Sequence, residues 1–95
     1  PKVKFEYVVS DATDPSDETI EAVMKATANK DVRVLVNNVG IHQGGPKPFD
    51  QVKYAKITES VNVNCLYPTL LTSRMVDYFL KRSQAEPRTR FLIIN

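Results

Sequence analysis

Leu35-Val36-Asn37-Asn38-Val39-Gly40 is the stretch that decides how this chain reads. Val32-Arg33-Val34 leads into it and a polar loop leads out, so it has the look of a strand reaching its end. A sheet exit ordinarily needs one turn residue; here two amides and a glycine follow the apolar run. In open α/β proteins the place where backbone leaves the sheet is where ligands bind. A polar turn that only caps the strand accounts for the two asparagines equally well when they are taken alone, so the rest of the chain has to choose.

Upstream, Val3, Phe5, Tyr7 and Val9 alternate with Lys2, Lys4 and Glu6, a period of two that predicts a strand over Val3–Val9. Ser10-Asp11-Ala12-Thr13-Asp14-Pro15 then reads as a loop delivering a helix. Asp14 suits the N-cap, Pro15 the first helical position, and Asp17 and Glu18 the positive end of the helix dipole. Ile20, Val23, Met24 and Thr27 mark one face of that helix, which should stop near Asn29-Lys30, before a strand over Val32–Val36.

Downstream, the loop from Asn37 to Asp50 holds Gly40, Gly44, Gly45, Pro46 and Pro48, too many breakers for regular structure. A long helical region follows from about Gln51 to Arg82, with Ile57, Val61, Cys65, Thr72, Met75, Val76 and Phe79 on one stripe. After a polar linker, Arg90–Ile94 reads as the last strand. The order β-α-β-α-β, with connections of helical length, predicts a mostly parallel α/β sheet with right-handed crossovers.

Composition bounds the rest. Ninety-five residues make one small domain, with 42% hydrophobic and 25% charged residues and a net charge of +2. Lysines and arginines are scattered, which argues against nucleic acid as a partner. The single cysteine, Cys65, excludes an internal disulfide and points to an intracellular reducing compartment; the helix stripe makes it small core filling. His42 is the only histidine and sits beside glycines as a solvated loop residue, so no metal site is expected. No apolar run approaches the ~18 residues a membrane helix needs. The chain begins without Met and stops at a strand pattern, so it is expected to be the central piece of a longer protein.

Inside the long helix, Asn64 falls with Val61, Cys65 and Pro68 on the stripe expected to face the core. A buried amide without partners costs roughly 1–3 kcal/mol, so it should have a defined task. Pro68 lacks an N–H and its ring crowds the carbonyl four residues back, which belongs to Asn64. A kink that releases the Asn64 carbonyl to water or another partner is the expectation. Leu66, Tyr67, Leu70, Leu71 and Tyr78 make the opposite face apolar too, so the helix over residues 59–81 is expected to be covered on both sides, with a second copy of the chain on one of them.

Taken together, these residues resemble the short-chain dehydrogenase/reductase family. Asp11-Ala12 after the first strand resembles its adenine-contacting acidic turn, and Asn37-Asn38-Val39-Gly40 resembles its Asn-Asn-Ala-Gly strand end. Val63-Asn64, followed by Thr72, resembles the helix that carries the asparagine of its Asn-Ser-Tyr-Lys tetrad. Phe91-Leu92-Ile93-Ile94-Asn95 resembles the strand that delivers the catalytic serine. Val-Gly after the paired asparagines and the doublet Asn62-Val63-Asn64 are similar to the 17-beta-hydroxysteroid dehydrogenase and very-long-chain 3-ketoacyl-CoA reductase branch.

The resemblance implies a partial Rossmann fold and hydride transfer between NAD or NADP and a hydroxyl or keto group, on a steroid or fatty-acyl substrate. It implies that Asn64 is the catalytic member present, its main-chain carbonyl holding a water linked to the lysine. It implies that Asp11, Ala12, Asn38, Val39 and Gly40 lie on the cofactor side, with Asn37 tying neighbouring strands together. For the longer protein it implies attachment to the endoplasmic reticulum membrane.

The departures are as informative. The glycine-rich phosphate turn is absent, and so is Tyr-x-x-x-Lys: Tyr54 is followed four residues on by Thr58, Tyr67 by Leu71 and Tyr78 by Arg82. The chain alone is therefore expected to be inactive. In the family's sheet the strand matching Val3–Val9 is separated from that matching Val32–Val36 by two strands missing here. It must stay loose, pair elsewhere or pair with another molecule, which gives a rearranged or oligomeric arrangement. Two other readings use the same residues. One is a catalytically silent binding protein on this scaffold; the other is a small α/β interaction module that dimerises through its long helix.

Overall fold

A computed structural model of the chain describes residues 2–42 and 45–95. Of the loop glycines read above, Gly44 lies outside the described residues. The elements run α1 (Asp17–Thr27), β1 (Val34–Val36), a 3₁₀ turn (Phe49–Gln51), α2 (Tyr54–Val61), a π-helical turn (Asn62–Leu66), α3 (Tyr67–Ala85) and β2 (Leu92–Ile94). β1 and β2 pair in parallel, Val34 opposite Leu92, Leu35 opposite Ile93 and Val36 opposite Ile94. The helices between them form the crossover, so the α/β class and the parallel sheet hold, in a two-stranded form.

The strand expected over Val3–Val9 is not formed. Residues 2–10 carry no ladder, and Phe5 and Tyr7 are 88% and 95% exposed. The alternating pattern is sound, but a strand exists only when a neighbour takes its N–H and C=O groups, and both described strands bond to each other. The outlying segment shows in the dimensions: the radius of gyration is 16.4 Å, against about 12 Å for a compact chain of this length.

β1 is shorter than Val32–Val36 for a visible reason. The Val32 N–H donates to the Tyr78 hydroxyl (3.3 Å) and leaves the ladder. The same hydroxyl donates to the Lys30 carbonyl at 2.6 Å, and Arg82 bonds Asp31, so the entry to β1 is clamped onto α3. At the other end the ladder is prolonged by Asn37 N–H to the Ile94 carbonyl (2.8 Å).

α1 starts two residues later than expected. Ser16, not Asp14, is the N-cap, its hydroxyl accepting from the Thr19 N–H at 3.2 Å. Asp14 is occupied in the preceding turn, where its N–H donates to the Asp11 carbonyl. Asp17 and Glu18 do fall in the first turn, and Ile20 is the most buried residue of the helix, with Val23 and Met24 packed against the same core.

The long helical region contains the larger correction. Its buried residues are Val63, Tyr67, Leu71, Met75 and Phe79. Tyr67 and Leu71, which the uninterrupted pattern puts on the outward face, are core. Cys65 and Val61, assigned to the core, are exposed, and so is Asn64. The π-helical turn explains the exchange from the turn onward, though not at Val61, which precedes it. It holds one residue more per turn than an α-helix, so it rotates the phase of everything after it by about 100° relative to an uninterrupted helix. Pro68, without an N–H to give the Asn64 carbonyl, is the covalent reason the interruption falls here. Between residues 59 and 81 the large apolar residues left exposed are Val61, Leu66, Val76 and Leu80, and of the face expected to bind a second copy only Leu66 is among them.

Candidate functional site

The carboxyl ends of β1 and β2 open onto a cleft of about 550 Å3, lined by Asn37, Val39, Asn64, Cys65, Pro68, Thr69, Thr72 and Asn95. Its walls are three: the residues leaving β1, the residue leaving β2, and the face of the long helix that the π-helical turn swings toward them. Asn37 and the helix asparagine Asn64, separated by more than twenty positions in sequence, both line it.

Asn37 is the tie. Its side-chain N–H₂ donates to Thr72 Oγ1 and to Asn95 Oδ1, each at 2.9 Å, while its backbone N–H donates to Ile94. One side chain thus fixes both strand ends to α3. Asn64 faces the next part of the loop: its Oδ1 accepts the Ile41 N–H at 2.8 Å and its Nδ2 donates to the Ile41 carbonyl at 3.1 Å. That two-way pair imitates a rung of sheet, so the polar side chain is satisfied although it is exposed rather than buried. A Cβ on Gly40 would lie 3.6 Å from Asn64 Oδ1, an ordinary contact. Asn38, Val39 and Gly40 are exposed between the two anchors.

The Ser10–Thr13 loop packs beside the same stretch of helix, outside the cleft. Asp11 Oδ1 accepts from the Thr13 N–H (2.9 Å) and the Thr13 hydroxyl (2.7 Å), closing an Asx turn. The hydroxyl and then the backbone N–H of Thr13 hold the Asp11 carboxyl below the usual carboxylate range, so it is charged at neutral pH. Ala12 is buried in the core and seats the turn. Ser10 and Tyr67 share a hydroxyl–hydroxyl bond of 2.8 Å, and Asn62 Nδ2 donates to the Thr13 carbonyl at 3.3 Å.

Of the residues expected at the site, Val39 and Asn64 line the cleft, Asn38 and Gly40 lie in the loop between Asn37 and Ile41, and Asp11 and Ala12 belong to the neighbouring loop rather than to the lining. Sequence reasoning missed Cys65, Thr69 and Asn95 as lining and Asn62 and Tyr67 as loop contacts. The signal for the last two was present: asparagines at 62 and 64 flank a core valine, and a proline follows within the same helix. His42 is exposed, and among the described residues no group of His, Cys, Asp or Glu could hold a metal ion. No described helix is long and apolar enough to cross a membrane.

Comparison with known proteins gives these contacts a family. The sequence profile of the short chain dehydrogenase family matches residues 2–86. A very-long-chain 3-oxoacyl-CoA reductase of Aspergillus niger is 30% identical over 84 residues, 88% of this chain and 24% of the relative. The very-long-chain 3-oxoacyl-CoA reductase of Phaeosphaeria nodorum is 24% identical over 84 residues, covering 88% of this chain and 25% of the relative. An inactive hydroxysteroid dehydrogenase-like protein 1 of Homo sapiens is 29% identical over 83 residues, 87% of this chain and 25% of the relative. The chain therefore spans about a quarter of the length of the curated relatives it matches. No solved structure matches it. With a profile match running from the first loop through the π-helical turn and α3, and the paired asparagines closing the carboxyl end of β1, the chain belongs to the short chain dehydrogenase family.

Proposed function

We propose that this chain is the central part of an NAD- or NADP-dependent oxidoreductase that interconverts a hydroxyl and a keto group on a fatty-acyl or steroid substrate. The observation that carries the reading is the cleft at the carboxyl ends of two parallel strands, where Asn37, Asn64 and Asn95 converge. Parallel α/β sheets bind their ligands at that end.

The donor set suits a dinucleotide in part. An exposed carboxylate at Asp11, seated by buried Ala12, suits the amino edge of an adenine, and exposed Asn38, Val39 and Gly40 offer backbone beside it. The phosphates would need a glycine-rich turn that the chain does not contain. When bound, the nicotinamide would donate a hydride to a carbonyl carbon or accept one from an alcohol. The chain's own contribution is to position. Asn64 commits its side chain to Ile41, and Pro68 has no N–H for the Asn64 carbonyl, so that oxygen would serve as the acceptor for an ordered water. The serine, tyrosine and lysine that would complete the chemistry are not in the chain, so the isolated 95-residue chain should be inactive.

The test is turnover by the full-length protein: a long-chain 3-oxoacyl-CoA with NADPH or NADH, followed by loss of nicotinamide absorbance. Oxidation that depends on the acyl substrate supports the reading; no reaction with fatty-acyl or steroid ketones sinks it. A second reading is favoured by the human relative whose name carries the word inactive. In it the full-length protein binds the nucleotide and turns nothing over, and a sequence lacking Tyr-x-x-x-Lys downstream of Asn95 would select it. The longer protein is also proposed to sit at the endoplasmic reticulum membrane and to self-associate through residues 59–81. Fractionation of cells and sedimentation of the purified protein test those two statements.

A further inference from the structure

We propose that the π-helical turn is a brace for the nucleotide site, with Asn62 and Tyr67 as positioning residues that set the Ser10–Thr13 loop in register with the loop after β1. This inference rests on the cofactor reading above and adds residues to it.

Three side chains leave this turn and its first following residue toward two different loops. Asn64 goes to Ile41, beyond the paired asparagines. Asn62 goes to the Thr13 carbonyl, and the Tyr67 hydroxyl goes to Ser10 Oγ, on either side of Asp11-Ala12. The two loops are fixed to one rigid piece of helix rather than hydrogen-bonded to each other. Burial makes the attachment firm on the Tyr67 side, since the ring is 7% exposed and belongs to the core, so its hydroxyl is delivered to Ser10 by a side chain that cannot swing away.

The geometry also depends on the turn being π-helical. In an uninterrupted α-helix residues 62 and 67 lie five positions and about 500° apart, so their side chains diverge by about 140°. The wider turn brings them closer to one face, where both can reach the same loop. Ser10 and Thr13 then bracket the Asx turn of Asp11, and the carboxylate is presented in a single orientation. Binding a nucleotide to a loop already held in place avoids the cost of ordering it afterwards.

The test is nucleotide affinity in the full-length protein, read by the fluorescence of bound NADPH and NADH, for Tyr67→Phe, Ser10→Ala and Asn62→Ala. Tyr67→Phe keeps the ring in the core and removes only the hydroxyl. Loss of one such bond should weaken the nucleotide by about fivefold. The change should appear in the cofactor KM with kcat nearly unchanged where the protein turns over. Ser10→Thr, which retains a hydroxyl, should bind as the parent does, a rescue that a general loss of stability would not show. If Tyr67→Phe fails to fold, Ser10→Ala removes the same bond from the loop side. Variants that bind both nucleotides as tightly as the parent overturn the brace while leaving the cofactor reading intact. A parent that binds neither nucleotide removes the cofactor reading and the brace with it.

Discussion

Val3–Val9 and Val32–Val36 are near twins as sequences and opposites as structures. Both are short, β-branched and aromatic-rich or β-branched and aliphatic, and both precede a loop with functional character. Only the second makes a strand, three residues long, with Leu35 buried against the helices. The first carries no regular structure and is exposed, with Phe5 and Tyr7 almost fully in water. The difference is not propensity. Residues 34–36 find Leu92–Ile94 to bond with, while their entry is held by Tyr78 and Arg82 and their exit by Asn37 and Asn64. One surface ion pair, Glu6 with Lys30, ties 2–9 to the rest of the described chain, and pairs of that kind contribute little. A period of two therefore states what a segment can do, and a partner decides whether it does it.

The largest test of that contrast is a pair of truncations. Leu35→Ala should cost about 2–4 kcal/mol of unfolding free energy, because it removes buried methyl groups from a small core. Phe5→Ala should change it by less than about 0.5 kcal/mol. Urea unfolding of the two variants decides it; an equal loss would mean that 3–9 is paired in solution. A smaller effect is expected at the exit of the paired strand. Asn64→Ala removes both bonds to Ile41 and should cost about 1 kcal/mol, with the Ile41 amide losing its protection in hydrogen exchange. Protection retained there would show that the loop holds itself.

The subtlest test concerns the clamp at the strand entry. Hydrogen bonds from Arg33 and then Arg82 lower the Asp31 carboxyl from 3.8 to about 2. A carboxyl depressed in the folded state adds stability that is fully present above its unfolded pKa and is lost as pH falls through the folded value. Asp31 should thus contribute above about pH 4 and lose its contribution between there and pH 2. Asp31→Asn should flatten the stability profile in that window, measured by acid unfolding. Because the group is exposed, salt should shrink the effect. A profile unchanged by Asp31→Asn would show that Tyr78 and the Val32 amide hold the entry without the ion pairs.

Some of the contacts around the cleft were legible in the sequence. Asn64 as a helix amide with a partner follows from residue type and position, although it is exposed rather than buried; Asn37 as a tie between strands is what the family resemblance implies, and the proline at 68 predicts an interruption. The faces of the long helix were not legible, because a regular 3.6-residue period cannot carry through a π-helical turn. Counting from Ile57 and Val61 leads to Cys65; the structure turns to Val63 and Tyr67 instead. The N-cap of α1 went to Ser16 because Asp14 was already committed to the turn built by Asp11.

By itself the sequence determined the order α-β-α-β from Asp17 onward, the helix face of Ile20, Val23 and Met24, and the amide-rich exit of β1, since each depends on residues close together along the chain. Tertiary structure alone decided which apolar segment became a strand and which face of the helix became core. It also decided that Asn62, Asn64 and Tyr67 would gather two distant loops. Those outcomes depend on which groups meet across the fold, and a hydrogen bond or a buried contact has no existence until its second partner arrives.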